Sequence, residues 1–335
     1  MKKVKLLLAP GLEVEFADRD RALQQVQEWS ERGTRFPIVV FGPEGCGKTA
    51  WLKQAAGILR EKGYEVVYVD PMHREYLVHT DVKEVAEQFA KAAAAAVGTA
   101  ELKLASLAID AVKELLKAWR RKNVAVLVDE AFQAIGLERA AAYVKSLLNL
   151  IEYPPESYEK IVAIVATSEG VSRREIGRHL WAELAPMWNM SREGFERLYE
   201  QIPGPKPDVE EAWKLTGGNP RLLAQLYRAK WDAETIVAQL AKAKGITAGL
   251  VEKWGRLLEE AVEDPDALWS AEGEELASEL EARNLIVYNL HDRSEKLWID
   301  QPPPQKDLEL GVGKYAAWQT PLHREAVKKA LEKRA

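Results

Sequence analysis

Along the first two hundred or so residues, short, wholly apolar runs alternate with longer stretches whose apolar residues recur every three to four positions. FPIVVFG (36–42) is apolar until its closing glycine, and TAWLKQAAGILREKG (49–63) follows with helical spacing. YEVVYVD (64–70), NVAVLVDE (123–130) and KIVAIVATSE (160–169) repeat the apolar run. Two helical stretches, roughly 81–97 and 101–121, separate the second run from the third. Uninterrupted apolar runs belong to strands buried on both faces, so the alternation predicts a parallel sheet covered by helices on both sides. The alanine run at 92–96 reads as close helix packing. MKKVKLLLAPGLEVEF (1–16) reads as a strand, its apolar part far shorter than the ~20 residues of a membrane span.

Beyond MWNMS (187–191) the strand signal fades. SREGFERLYEQI (191–202), PGPKP (203–207) and DVEEAWKLTGGNPRLLAQLYRAKW (208–231) read as helices joined by sharp turns. LVEKWGRLLEEAVE (250–263) and ELASELEARN (275–284) are helical, and LIVYNLHDRSEKLWID (285–300) holds two strand-like runs around a polar turn, the pattern of a β-hairpin. QPPPQ (301–305) then breaks the chain before a last helix in LHREAVKKALEKR (322–334). The expected organisation is an α/β core over 1–190, a helical domain over 191–245, and a winged-helix-like module over 246–335.

Composition adds boundaries. The 335 residues carry 47 Lys and Arg against 52 Asp and Glu, a formal charge of -5, which neither advertises nor excludes nucleic acid. One cysteine, Cys46, excludes an internal disulfide and suits the cytoplasm. The five histidines are scattered and Cys46 has no metal-ligand partner nearby, so neither a zinc site nor a cysteine nucleophile is arguable.

The chemistry starts at GPEGCGKTA, where Gly42, Pro43, Glu44, Gly45, Cys46, Gly47, Lys48, Thr49 and Ala50 join the first run to its helix. Glycines let backbone N–H groups turn inward into an anion nest at a helix N-terminus. Lys48 would reach the β- and γ-phosphates and the Thr49 hydroxyl would hold Mg²⁺. VAVLVDE places Asp129 at the C-terminal end of a buried strand, where it can hold the same ion. Glu130 directly after it can polarise a water for attack on the γ-phosphate, a base that small-molecule kinases do not need. The plainer reading makes Asp129 and Glu130 a helix cap.

Further on, Thr167 and Ser168 end the last strand, where a hydroxyl could touch the γ-phosphate, though both residues commonly close strands. Arg173, Arg174 and Arg178 are candidates for an arginine finger or simply a solvated face. Gly217, Gly218 and Pro220 force a tight turn that sets Arg221 just inside a helix, able to reach back to phosphates. Asp18, ahead of the first amphipathic helix, is a plausible N-cap beside Arg19.

Together F-x-D-R, GPEGCGKT, VLVDE, VATSEG, MWNMSREGFERL and TGGNPRLL, spread over 16–223 in that order, resemble the archaeal ATPase family. This is a branch of STAND/AAA+ P-loop ATPases related to the origin-recognition and Cdc6 initiators. The resemblance implies an AAA+-like P-loop core with a five-stranded sheet, a helical lid and a winged helix, with ATP and Mg²⁺ as cofactors. It makes Asp18 and Arg19 part of the segment flanking adenine, Thr167 or Ser168 the first sensor, and the turn from Gly218 through Pro220 to Arg221 the lid's nucleotide contact. Family loops often carry basic residues where Glu44 and Gly45 stand, and no residue here aligns with the family's finger.

The leading expectation is therefore a switch that binds ATP or ADP, hydrolyses ATP and signals to a protein partner. The alternative is a DNA-associated ATPase gripping duplex through the winged helix. From residue 246 onward there are 12 Lys and Arg against 18 Asp and Glu, a net of -6, whereas nucleic-acid modules are normally basic. Local stripes at Arg293 and Lys296, or Arg324, Lys328 and Lys329, keep that alternative open. A small-molecule kinase is disfavoured by Glu130.

Overall fold

The computed structural model describes residues 3–96, 101–118, 122–168 and 170–333. The expected helix ends at 97, 119–121 and 334, and Glu169 of the last apolar run, lie outside the described residues. The chain forms two compact units: Met1–Val4, Asp20–Phe41 and Lys48–Ala185 make the first, and Lys5–Arg19, Gly42–Gly47 and Pro186–Ala335 the second. The segments 191–245 and 246–335 thus share one unit.

The N-terminal run is an antiparallel pair, β1 (Lys5–Ala9) and β2 (Leu12–Glu15), belonging to the second unit. The first unit continues through α1 (Asp20–Arg32), β3 (Ile38–Phe41), α2 (Lys48–Glu61), β4 (Glu65–Asp70) and β5 (Glu75–His79). Next come α3 (Lys83–Ala96), α4 (Glu101–Ala118), β6 (Asn123–Asp129), α5 (Ala131–Ile135) and α6 (Leu137–Glu152). It closes with β7 (Lys160–Thr167), α7 (Gly170–Gly177) and β8 (Glu183–Pro186).

The sheet has the order β5-β4-β6-β7-β3-β8, with β4, β6, β7 and β3 parallel and β5 antiparallel at one edge. One face of the apolar runs (Val67, Val69, Val124, Val126, Val128, Ile161, Ala163, Val165) packs with residues of α3, α4, α5 and α6. The alternate positions (Tyr68, Leu127, Ile164) are equally buried, as a sheet covered on both sides requires. The six strands exceed the five implied by resemblance. The extra edge strands escape the periodicity because EYLVH is half exposed and β8 is only four residues long.

In the second unit, β1 and β2 pack on α8 (Arg192–Glu200), α9 (Val209–Thr216) and α10 (Pro220–Arg228) through Leu12, Val14, Phe195, Tyr199 and Leu223. Helices α11 (Ala233–Ala243), α12 (Ala248–Glu263) and α13 (Gly273–Ala282) follow, then β9 (Ile286–Tyr288), β10 (Ala316–Trp318) and α14 (Pro321–Glu332). Side-chain oxygens of Ser191, Asp208, Asn219, Asp232, Thr247 and Thr320 cap α8 to α12 and α14.

The hairpin expected within 285–300 does not form. β9 pairs instead with β10, register Ala316↔Tyr288 to Trp318↔Ile286. The second run becomes a 3₁₀ turn at Glu295–Leu297, Trp298 is buried against Trp188 and Val312, and the Ile299 N–H donates to Pro186 O. Burial of Trp298 outweighs local hairpin pairing, and the three-residue AAW was too short to register as a strand.

His323, at the start of α14, is buried and its Nδ1 lies 2.8 Å from Thr320 Oγ1. Burial, then the Lys244 charge, lowers its pKa to about 3 against the pull of Glu44. The unfolded chain therefore takes up this proton first, so the contribution is complete above pH 6.5 and is lost as pH falls towards 3. Denaturant unfolding should show stability dropping ever more steeply below pH 6.5, reaching about 1.4 kcal/mol per pH unit from this residue between about pH 5.5 and 4. His323→Asn should flatten that drop; an unchanged slope would contradict the assignment.

Candidate functional site

In the first unit the apolar strands β6, β7 and β3 deliver their C-terminal residues to one edge of the sheet. The register sets Asp129 beside Ala166 and Phe41 beside Thr167, so β7 inserts Thr167 between the strand leading to the glycine loop and the strand ending in Asp129. Lys48 opens α2 with its side chain buried. Asp129 is fully buried, and neither carboxylate oxygen has a hydrogen-bond partner within normal reach.

Burial raises Asp129 to about 7, and the Glu130 and Asp70 charges push the same way. The Thr49 hydroxyl and the Lys48 ammonium oppose them. A buried carboxylate left this way is strongly unfavourable by itself, which fits a position that takes a cation. Among the described residues no cluster of three or more His, Cys, Asp or Glu could hold a metal. Asp129 with the Thr49 hydroxyl matches the sparser demand of Mg²⁺, which keeps waters and phosphate oxygens as its other ligands.

Glu130 adopts a left-handed backbone, φ 44°, where an ordinary helix cap would be extended, and its side chain makes no cap bond. Its carboxylate instead accepts the Ser168 N–H at 3.0 Å and the Ser168 hydroxyl. That conformation is costly for a non-glycine residue and marks the position as constrained. Thr167 is fully buried at the same edge.

Two residues here went unremarked in the sequence. Tyr68 is buried with its hydroxyl unpaired, and its pKa is raised by burial and by the nearby Asp129 and Asp70. Asp70, ending β4, accepts the His73 N–H at 3.0 Å and faces the His73 ring Nδ1 at 2.8 Å. The signal was YVD at a strand end, parallel to LVD. Of the three arginines, Arg173 is buried over the Phe41 ring, 5.1 Å from its centroid, and Arg178 is exposed and paired with Glu175.

In the second unit, donors from distant segments hold the glycine loop by its carbonyls. Cys46 O accepts from Arg19 Nη2 at 2.6 Å, Glu44 O from Asn219 Nδ2 at 2.9 Å, and Gly45 O from the Arg221 N–H at 3.4 Å. The Glu44 N–H donates to Gln319 Oε1 at 2.9 Å. Gly45 has φ +76°, and a Cβ there would sit 2.4 Å from Arg221 Cβ; at Gly42 it would sit 1.9 Å from Met187 O. Glycine is thus required by conformation and by close approach. Pro220 sits beside Gly47, and Cys46 is buried with its thiol 3.9 Å from Met187 O. The Asp18 carboxylate, offered by the sequence as a helix cap, accepts the Ser191 N–H at 2.9 Å and hydroxyl at 2.7 Å.

A family model for ATPase domains predominantly from Archaea matches residues 16–226. The chain belongs to this archaeal ATPase family. Beyond the family, a 62-residue stretch is 45% identical to the chromosomal replication initiator protein DnaA 1 of Chlamydia muridarum, covering 17% of this chain and 14% of that protein. Among solved structures, a Walker-type ATPase of Pyrococcus abyssi aligns over 93% of this chain and 96% of its own, at 17% identity and TM-score 0.46. The Orc1 protein of Aeropyrum pernix in complex with DNA aligns over 95% and 93%, at 15% and 0.39. AMPPCP-bound DnaA from Aquifex aeolicus aligns over 70% and 71%, at 18% and 0.39. Among the described residues of the chain no helix is long and apolar enough to cross a membrane.

Asp129→Asn removes the unpaired buried charge. The free variant should melt about 2 °C or more above the parent chain. It should also lose the extra stabilisation that Mg²⁺ adds to ATP. Retention of that Mg²⁺-dependent increment in a thermal-shift titration would contradict the cation assignment.

Proposed function

We propose that this ATPase is a Mg²⁺-dependent, nucleotide-driven switch of STAND/AAA+ type. The observation that carries the reading is Asp129, a buried carboxylate with both oxygens unpaired, close to Lys48 and Thr49 and followed at once by Glu130. Thr49 and Asp129 would hold the ion, which when bound would supply positive charge beside the phosphates. Lys48 neutralises the β- and γ-phosphates. Glu130 takes a proton from the attacking water while Ser168, hydrogen-bonded to its carboxylate, aims it; Thr167 reports the γ-phosphate. Gly42 to Ala50 cradle the phosphate chain, Asp18 and Arg19 flank the base, and Pro220 positions Arg221 as the nucleotide contact of a helical lid over 191–245.

The remainder, 246–335, acts as a winged-helix-like output module reading the nucleotide state to a protein partner. The antiparallel β9–β10 pair beside α12, α13 and α14 supports that reading. The DNA-binding alternative is weakened by what its candidate cations touch. Arg293 donates to the carbonyls of Pro304, His291 and Gly313, Arg324 to those of Leu308 and Glu309, and Lys329 pairs with Glu234.

Glu130→Gln should retain ATP but turn it over about 100-fold or more slowly, measured as released phosphate. An unchanged rate would remove the base role. Mobility shift on duplex DNA at two salt concentrations should show no complex at moderate salt. A complex that weakens steeply with salt would favour the DNA-associated reading.

A further inference from the structure

Glu44 stands in the glycine loop, and every polar group it owns is engaged within the second unit. Its N–H is held by Gln319 and its carbonyl by Asn219. Its carboxylate accepts from Arg221 Nη1 at 2.5 Å and from Lys244 Nζ at 2.6 Å. Burial pushes this carboxyl up, but the Lys244 hydrogen bond and the Lys244 and Arg221 charges prevail and hold it below the usual glutamate range. Among the described residues Glu44 is the one hydrogen-bond partner of both the Arg221 guanidinium and the Lys244 ammonium.

The two cations are not equally free to move. Arg221 projects from the first turn of α10, its side chain half exposed and its stem against Gly45. Lys244 caps the C-terminus of α11, is largely buried, and has its carbonyl held by Arg283. A carboxylate carried on a phosphate-binding loop, paired with two cations beside that loop, presents negative charge and acceptor oxygens to the same donors as a γ-phosphate on that loop would.

We propose that Glu44 is an internal competitor for the γ-phosphate: Arg221, with Lys244 behind it, exchanges between the Glu44 carboxylate and the terminal phosphate of a nucleotide on the loop. Resting on the nucleotide-site reading above, this makes Glu44 a residue that sets discrimination between triphosphate and diphosphate. Bound ADP lacks the γ-phosphate and leaves Arg221 with Glu44; bound ATP draws Arg221 away, and Lys244 keeps the loop carboxylate partnered during the exchange.

Calorimetric titration with AMPPCP and with ADP, both with Mg²⁺, tests the exchange. Glu44→Gln should bind AMPPCP about fivefold more tightly while ADP affinity changes little, so the ratio of the two rises. In an Arg221→Gln background the same Glu44→Gln substitution should leave the ratio where it was. Equal gains for both nucleotides, or a gain that survives without Arg221, would mean that Glu44 merely adds negative potential, and the exchange would be wrong. If the unsubstituted chain binds neither nucleotide, the nucleotide-site reading fails together with this one. If it binds both and the ratio is unmoved in Glu44→Gln, only the exchange fails.

Discussion

The buried guanidinium of Arg19 is the interaction on which the second unit's loop geometry depends. Its Nη2 donates to Cys46 O and Trp188 O, and its Nη1 donates to Asn189 O and pairs with Asp300 at 3.1 Å. Both side chains of that ion pair are almost wholly buried. Removing one partner of such a pair strands the other charge and typically costs about 3–5 kcal/mol. The geometry is bought with strain: Asp18 and Arg19 both take left-handed backbones, at φ 69° and 67°. Asp18 offsets it by bonding Ser191, and only a glycine fits at Gly194, where a Cβ would lie 2.0 Å from the Asp18 carboxyl carbon.

That constraint bears directly on the glycine loop. A loop proposed to cradle phosphate must hold its peptide planes in one orientation before any anion arrives. Here three consecutive carbonyls, of Glu44, Gly45 and Cys46, are fixed by donors from Asn219, Arg221 and Arg19. Cys46 is small enough to be buried at this point, and Glu44 contributes a charge answered by Arg221 and Lys244. In the first unit the corresponding constraint is burial of Asp129, whose desolvation outweighs the help of Thr49 and Lys48.

What could be read from the sequence was what is local. The strand–loop–helix joint at Gly42 to Thr49 and the apolar run into Asp129 each announce themselves within ten residues. The covered parallel sheet followed from the same runs. What could not be read depends on distance along the chain. Arg19 meets Asp300 across 281 positions and Glu44 meets Lys244 across 200. No periodicity records either pairing. The hairpin misreading has the same origin, since β9 found its partner in β10 beyond a proline-rich segment, and tertiary burial of Trp298 decided the matter. Edge strands β5 and β8 were missed because an edge relaxes the apolar pattern that makes central strands visible.

The central claim is that the loop at Gly42 to Thr49 holds the phosphates of ATP. Calorimetric titration of the chain and of its Lys48→Ala variant with ATP in the presence of Mg²⁺ tests it most directly. The account predicts one bound nucleotide per chain for the parent and at least a hundredfold weaker binding for the variant. Equal affinity in the two proteins would contradict it.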